Sequence, residues 1–164
     1  MGAFKTGKFT LASGKKSDYY VDLRIAITKP DFLKRVAKEM NKHSKGCEKV
    51  AGVELGAVPI AAAVSLVAGI PYLMVRKKVK DHGTGKLVEG ELAKGEKVLF
   101  VEDTVTTAGS LLLAIEAVRA LGGVVEKAVV IVDREEGARE NLAKVNVELV
   151  SLASIGELKR LATT

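Results

Sequence analysis

Residues 98–110 read VLFVEDTVTTAGS, and the fold is set by what this stretch does. Val98 to Val101 form a short apolar, β-branched-rich run with Lys97 before it and Glu102-Asp103 after it. Such a run is expected to be a parallel strand buried on both faces, with two carboxylates at its C-terminal end. Small polar residues follow: Thr104, Thr106, Thr107, Gly109 and Ser110. Leu111, Leu112, Ala114, Ile115, Val118 and Leu121 then recur at three- and four-residue steps, which predicts a helix. The order is strand, acidic pair, hydroxyl-rich turn, helix. Helix N-termini leave N–H groups unpaired and carry partial positive charge. Hydroxyls add donors, and glycine lets a backbone approach a ligand closely. A phosphate suits the turn, while the carboxylates suit sugar hydroxyls or a divalent cation. Together they describe a site for a phosphorylated sugar.

Outward from this stretch the theme repeats. Val50 to Val53 is a second short strand, followed by Glu54-Leu55-Gly56-Ala57-Val58-Pro59 and an apolar helix running to Ala68. Pro59 is tolerated in a first helical turn, and Gly69 is a natural stop. Tyr72 to Val75 is a third strand, after which residues 76–86, RKKVKDHGTGK, are basic and lack apolar periodicity. A solvated loop is the default for such a charge run, yet a loop of this length inside a compact α/β domain often acts as a lid. Ala128 to Val132 and Val147 to Leu152 complete the strands, and residues 155–162 suggest a C-terminal helix. Residues 31–43 form an amphipathic helical pattern after Pro30, with Phe32, Val36 and Met40 as its stripe. Residues 4–24 suggest a hairpin, with Tyr19 to Leu23 as its second strand. Arg134 follows a parallel strand, at the edge where ligands of such sheets collect, and can grip a carboxylate with two hydrogen bonds or pair with Glu135 or Glu136.

The whole chain sets bounds. Its 164 residues favour one domain, 1–164, and 48% hydrophobic content can fill a core. The net charge of +6 admits nucleic acid, lipid or small polyanionic substrates. Three Tyr, four Phe and no Trp argue against a base-stacking platform, so no nucleic acid is expected. Cys47 is the only cysteine, which excludes an internal disulfide framework and points to the cytoplasm. No apolar run is long enough to span a bilayer, and no membrane partner is expected. Gly85-Lys86 is not the end of a P-loop, because Lys80 stands where the upstream glycine belongs.

Glu102-Asp103-Thr104-Val105-Thr106-Thr107-Ala108-Gly109-Ser110 resembles the phosphoribosyl-pyrophosphate (PRPP) signature of type I phosphoribosyltransferases, in the form most like the orotate phosphoribosyltransferases. Two further stretches resemble that family: Phe9-Thr10-Leu11-x-Ser13-Gly14-x-x-Ser17-x-Tyr19-Tyr20, like its N-terminal hood, and Arg-Lys-x-x-Lys-x-His-Gly from Arg76, like its mobile catalytic loop. The resemblance implies an α/β fold with a mostly parallel central sheet flanked by helices, a small hood (1–24) and a catalytic loop (76–90). It implies transfer of a phosphoribosyl group from PRPP to orotate, with Lys80, His82 and Asp103 catalytic. Residues 104–110 would hold the 5′-phosphate, and Glu102 and Asp103 the ribose hydroxyls. Glu54, Leu55, Gly56, Ala57 and Val58 would wrap the pyrophosphate through backbone N–H groups, joined by Arg76, Lys77, Lys80 and His82. Thr106, Tyr20 and Arg134 would contact orotate. Mg²⁺ would be held through the substrate rather than by the protein, and the loop would reach into the neighbouring subunit of a homodimer.

The sequence departs from the family pattern at Thr104, usually aliphatic, and Ala108, usually glycine. An alanine at positive φ is strained, so Ala108 is expected at negative φ. Two other functions stay open: a purine phosphoribosyltransferase, and a non-catalytic regulator that binds PRPP on the same fold.

Overall fold

The computed structural model describes residues 4–10, 16–77 and 86–162. In chain order the elements are β1 (Phe4–Thr10), β2 (Lys16–Val21), α1 (Arg24–Ile27), α2 (Pro30–Asn41), β3 (Lys49–Val53), α3 (Ala57–Ala68) and β4 (Tyr72–Val75). They continue as β5 (Val88–Glu89), β6 (Lys97–Val105), α4 (Gly109–Ala120), β7 (Val124–Asp133), α5 (Ala138–Ala143), β8 (Glu148–Ser154) and α6 (Ile155–Ala162). Strands β1 and β2 pair antiparallel as a separate two-stranded sheet.

The main sheet has six strands in the order β5-β4-β3-β6-β7-β8. Every pair is parallel except β4 with β5. From β3 the chain moves outward to β4; after β5 it returns to β3's other side as β6 and then moves the opposite way. Strands β3 and β6 are therefore neighbours across a topological switch point, where loops diverge to the two faces and leave a crevice beyond the strand ends.

Both faces of the sheet are covered, as crossover helices require. On one face Ala51, Val53, Val98, Phe100, Ala128 and Val130 pack with Leu111, Ile115 and Val118 of α4 and Leu142 of α5. On the other, Val50, Leu99, Val101, Val129 and Ile131 pack with Val36 and Met40 of α2 and Ile60 and Val64 of α3. Val98 to Val101 alternate between the two cores, and this explains why a run of four apolar residues is stable there. Gly52 admits no side chain: an added Cβ would lie 2.4 Å from the Ala57 carbonyl oxygen. This close approach folds α3 back over β3. Gly69 closes α3 in the left-handed conformation at φ 71°.

Several boundaries differ from expectation. Strand β6 continues to Val105 because its ladder with β7 persists as far as Val105 opposite Asp133. The acidic pair therefore lies within the strand rather than after it. Strand β7 begins at Val124 and β8 ends at Ser154. The second hairpin strand starts at Lys16 and stops at Val21 rather than Leu23, and α1, which the sequence did not announce, buries Ala26 and Ile27. Helix α2 starts with Pro30 at its first turn and ends at Asn41, two residues short of His43. The 76–90 segment is not loop throughout. Its end pairs with β4, and the Arg76 N–H donates to the Leu87 carbonyl at 2.8 Å. Helix α5, only six residues long, was also unforeseen; a helix so short shows little periodicity. Cys47 is half-buried, and burial pushes its thiol up. Among the described residues no helix is long and apolar enough to cross a membrane.

Candidate active site

The turn from β6 into α4 forms a cavity of about 220 Å³ lined by Glu102 and residues 104–111. Its floor is the first turn of α4, whose leading N–H groups have no carbonyl one turn earlier. Thr106, Thr107, Gly109 and Ser110 all reach this lining, as the phosphate reading requires. Thr104 lines it too, but its N–H donates to Asp103 Oδ1 at 2.6 Å and is not available to a ligand. Val105 is a buried ladder residue whose carbonyl accepts the Arg134 N–H at 3.0 Å.

The expectation for Ala108 is overturned. It caps α4 in the left-handed region, at φ 65° and ψ 15°. The turn needs this conformation to reverse the chain into the helix, and the Ala108 carbonyl accepts the Leu112 N–H at 2.8 Å. Left-handed alanine costs about 1–2 kcal/mol. The methyl is buried in the core beneath α4, and that burial offsets about 0.8 kcal/mol of the strain. Asn141 of α5 steadies the same turn by donating to the Thr107 carbonyl at 3.0 Å. Nothing local in the sequence marks Asn141, because the contact spans elements far apart in the chain.

Glu102 and Asp103 lie side by side. The Asp103 N–H donates to Glu102 Oε1 at 3.0 Å. Burial, and next the neighbouring Asp103 charge, push the Glu102 carboxyl up to about 8; nearby Lys77 opposes the shift. Across the switch point Gly56 meets Asp103 so closely that an added Cβ would stand 2.6 Å from Oδ2. The loop after β3 and the acidic pair of β6 are thus in van der Waals contact.

That loop, residues 54–58, is partly engaged within the protein. The Glu54 N–H donates to the Val75 carbonyl at 2.8 Å, so it cannot serve a pyrophosphate as expected. Its carboxylate accepts the Lys77 N–H at 2.9 Å. Leu55 is exposed, Gly56 caps α3, and Ala57 and Val58 form its first turn. Arg76 donates to Glu89 Oε1 through Nε at 3.2 Å and Nη2 at 3.0 Å. Lys77 lies near enough to Glu102 to act on its charge. Lys80 and His82 lie outside the described residues.

Arg134, just past β7, is held by two partners. Its Nε and Nη2 donate to the Tyr19 hydroxyl at 3.3 and 3.2 Å, and Nε lies 3.1 Å from Glu136 Oε1. The Tyr19 ring also carries two cations, with Arg134 Cζ 5.2 Å and Lys159 Nζ 4.4 Å from its centroid. Tyr19 is thus the hood residue in contact with Arg134. The side chain of Tyr20, the residue favoured from sequence, lies outside the described ones.

Among the described residues no cluster of three or more His, Cys, Asp or Glu could hold a metal ion. The acidic pair suits a cation whose other ligands come from a substrate.

The β6–α4 turn, the acidic pair, the helix-capping loop and the arginine all meet at the C-terminal edge of the parallel strands β3, β6 and β7. This arrangement defines a phosphoribosyltransferase, and the phosphoribosyl transferase domain family matches residues 28–154. The chain is 53% identical over 160 residues to the orotate phosphoribosyltransferase of Methanocaldococcus jannaschii, covering 97% of this chain and 91% of that one. The crystal structure of the Aeropyrum pernix orotate phosphoribosyltransferase superposes with a TM-score of 0.87 at 36% identity, covering 99% of this chain and 94% of that one. That of the Mycobacterium tuberculosis orotate phosphoribosyltransferase in complex with PRPP gives 0.77 at 34%, covering 92% and 89%. The chain belongs to the orotate phosphoribosyltransferase family.

Proposed function

We infer that this chain transfers the phosphoribosyl group from PRPP to orotate, giving orotidine 5′-monophosphate and pyrophosphate in pyrimidine biosynthesis. The observation that carries the reading is the contact of Gly56 with Asp103 across the switch point. It sets the acidic pair directly against a helix N-terminus, so one ligand can span both with its sugar between two phosphate-binding loops.

In this mechanism residues 105–110 hold the 5′-phosphate, and Glu102 and Asp103 hold the ribose hydroxyls. As the bond from C1 to the leaving oxygen lengthens, positive charge grows on the sugar and negative charge on the pyrophosphate. Asp103 stabilises the first; Lys77, Lys80, His82 and the N-terminus of α3 stabilise the second. Arg76 joins them by exchanging Glu89 for the pyrophosphate. Arg134 grips the orotate carboxylate and turns the ring nitrogen toward C1, with Thr106 and Tyr20 beside the ring. Glu102 and Asp103 would flank a Mg²⁺ carried in by the substrate, and its charge would offset that of the leaving group. Closure of the 76–90 segment would exclude water that could otherwise capture the ribosyl cation.

The reading extends to one domain over residues 1–164, a cytoplasmic location and a homodimer in which that segment completes the neighbouring site. Leu66, Val67, Tyr72 and Met74 on α3 and β4 are exposed, an apolar strip that a second copy would cover. The test is a spectrophotometric assay with PRPP and Mg²⁺, comparing orotate with adenine, hypoxanthine and uracil. Turnover with orotate alone is expected. Turnover with another base overturns the pocket but keeps the phosphoribosyl site, and silence with tight PRPP binding marks a regulator.

A further inference from the structure

We propose that Glu136 is a built-in carboxylate that competes with substrate and product for Arg134. The inference rests on the assignment of Arg134 to the orotate carboxylate. Glu136 Oε1 lies 3.1 Å from Arg134 Nε. That Nε and the adjacent Nη2 form one edge of the guanidinium, and both also reach the Tyr19 hydroxyl, at 3.3 and 3.2 Å. A carboxylate ligand takes two parallel N–H groups from such an edge. Glu136 and a bound orotate therefore meet the same edge of the guanidinium.

The two members of the ion pair are not equally fixed. The Arg134 side chain is 16% exposed, whereas that of Glu136 is 39% exposed. Arg134 is further held by Tyr19, whose ring lies under its guanidinium. When a ligand carboxylate arrives, the arginine stays and the glutamate swings to solvent, where its charge is hydrated at little cost. The phosphoribosyl transfer forms its new bond at the ring nitrogen and leaves the carboxylate untouched. The product must break the same contact on leaving that the substrate made on entering. Glu136 returning to Arg134 opposes the first event and favours the second. A pyrimidine without the carboxylate, such as uracil, does not meet this competition, so Glu136 also narrows the preference for orotate.

The test is Glu136→Gln, which keeps the size of the side chain and removes its charge. In steady-state kinetics the KM for orotate and the inhibition constant of orotidine 5′-monophosphate should fall together, by about three- to fivefold, the range of a partly exposed pair. The KM for PRPP should stay within about twofold, and the preference for orotate over uracil should widen by the factor seen in the orotate KM. A purely structural role for Glu136 would instead raise the orotate KM, as the loop after β7 loosened. Arg134→Ala serves as the control and should raise that KM. An unchanged or raised value in Glu136→Gln, beside a raised one in Arg134→Ala, overturns the competition alone. No change in either variant overturns the carboxylate assignment, and the competition falls with it.

Discussion

The two sides proposed to bind the phosphates of PRPP are built in different ways. The 5′-phosphate side, residues 102–110, is one unbroken strand–turn–helix in which neighbours along the chain are neighbours in space. The pyrophosphate side is assembled from pieces: the loop after β3, the root of the 76–90 segment and β5. They are tied by Glu54 to Lys77 at 2.9 Å and Arg76 to Glu89 at 3.0 Å. A contiguous cradle depends on local backbone geometry. An assembled one depends on single long-range contacts, each of which a point substitution can remove.

Lys80→Ala should break the comparison most sharply. If the assembled side carries leaving-group charge, kcat should fall by about 10²–10³-fold, the usual loss for one transition-state donor, with an unchanged melting temperature. Near-normal turnover would remove the 76–90 segment from the mechanism. Gly56→Ala comes next, because it forces the two sides apart: the new methyl meets Asp103 Oδ2 at 2.6 Å. Displacing that carboxylate by about an ångström should lower kcat/KM for PRPP by roughly 10–100-fold. Wild-type kinetics in this variant would mean that the two sides work independently.

Glu102 sharpens the contrast through pH. Its carboxyl is raised from 4.5 to about 8, so the folded protein holds a proton that the unfolded chain loses. The associated stability is complete below about pH 4.5 and is lost as pH rises through about 8. Across that window the slope is up to about −1.4 kcal/mol per pH unit. Thermal melts of Glu102→Gln between these limits should fall less steeply with pH than those of the wild type; parallel curves would show that Glu102 ionises normally. The smallest effect is expected for Ala108→Gly. Relief of left-handed strain, loss of a buried methyl and a floppier unfolded chain nearly cancel, leaving stability within about 1 kcal/mol. A large gain would show that the contiguous cradle stores more strain than its φ of 65° suggests.

The same contrast explains what was legible in the sequence. The run from Val98 to Ser110 announced the strand, the acidic pair and the turn into a helix, because each of those signals is local. The mostly parallel sheet followed from the repetition of that unit at residues 50–68. The local conformation of Ala108 was misjudged, since steric preference alone ignores the core that receives its methyl. The Asn141–Thr107 bond, the Tyr19–Arg134 contact and the Glu54–Lys77 tie are illegible for another reason. Each is defined by a partner 23 to 115 positions away, and no periodicity marks such pairs. Strand β5 was lost inside a charged stretch because two residues are too few to alternate.

The ring of Tyr19 lies against Arg134, the residue proposed to bind the base, and Lys159 of helix α6. A ligand that repositions Arg134 changes the ring's environment, and through it the energy of the Lys159 contact. Linkage is reciprocal: whatever free energy orotate transmits to α6, fraying of α6 must withdraw from orotate binding. Helix α6 would thereby be a thermodynamic partner of the base.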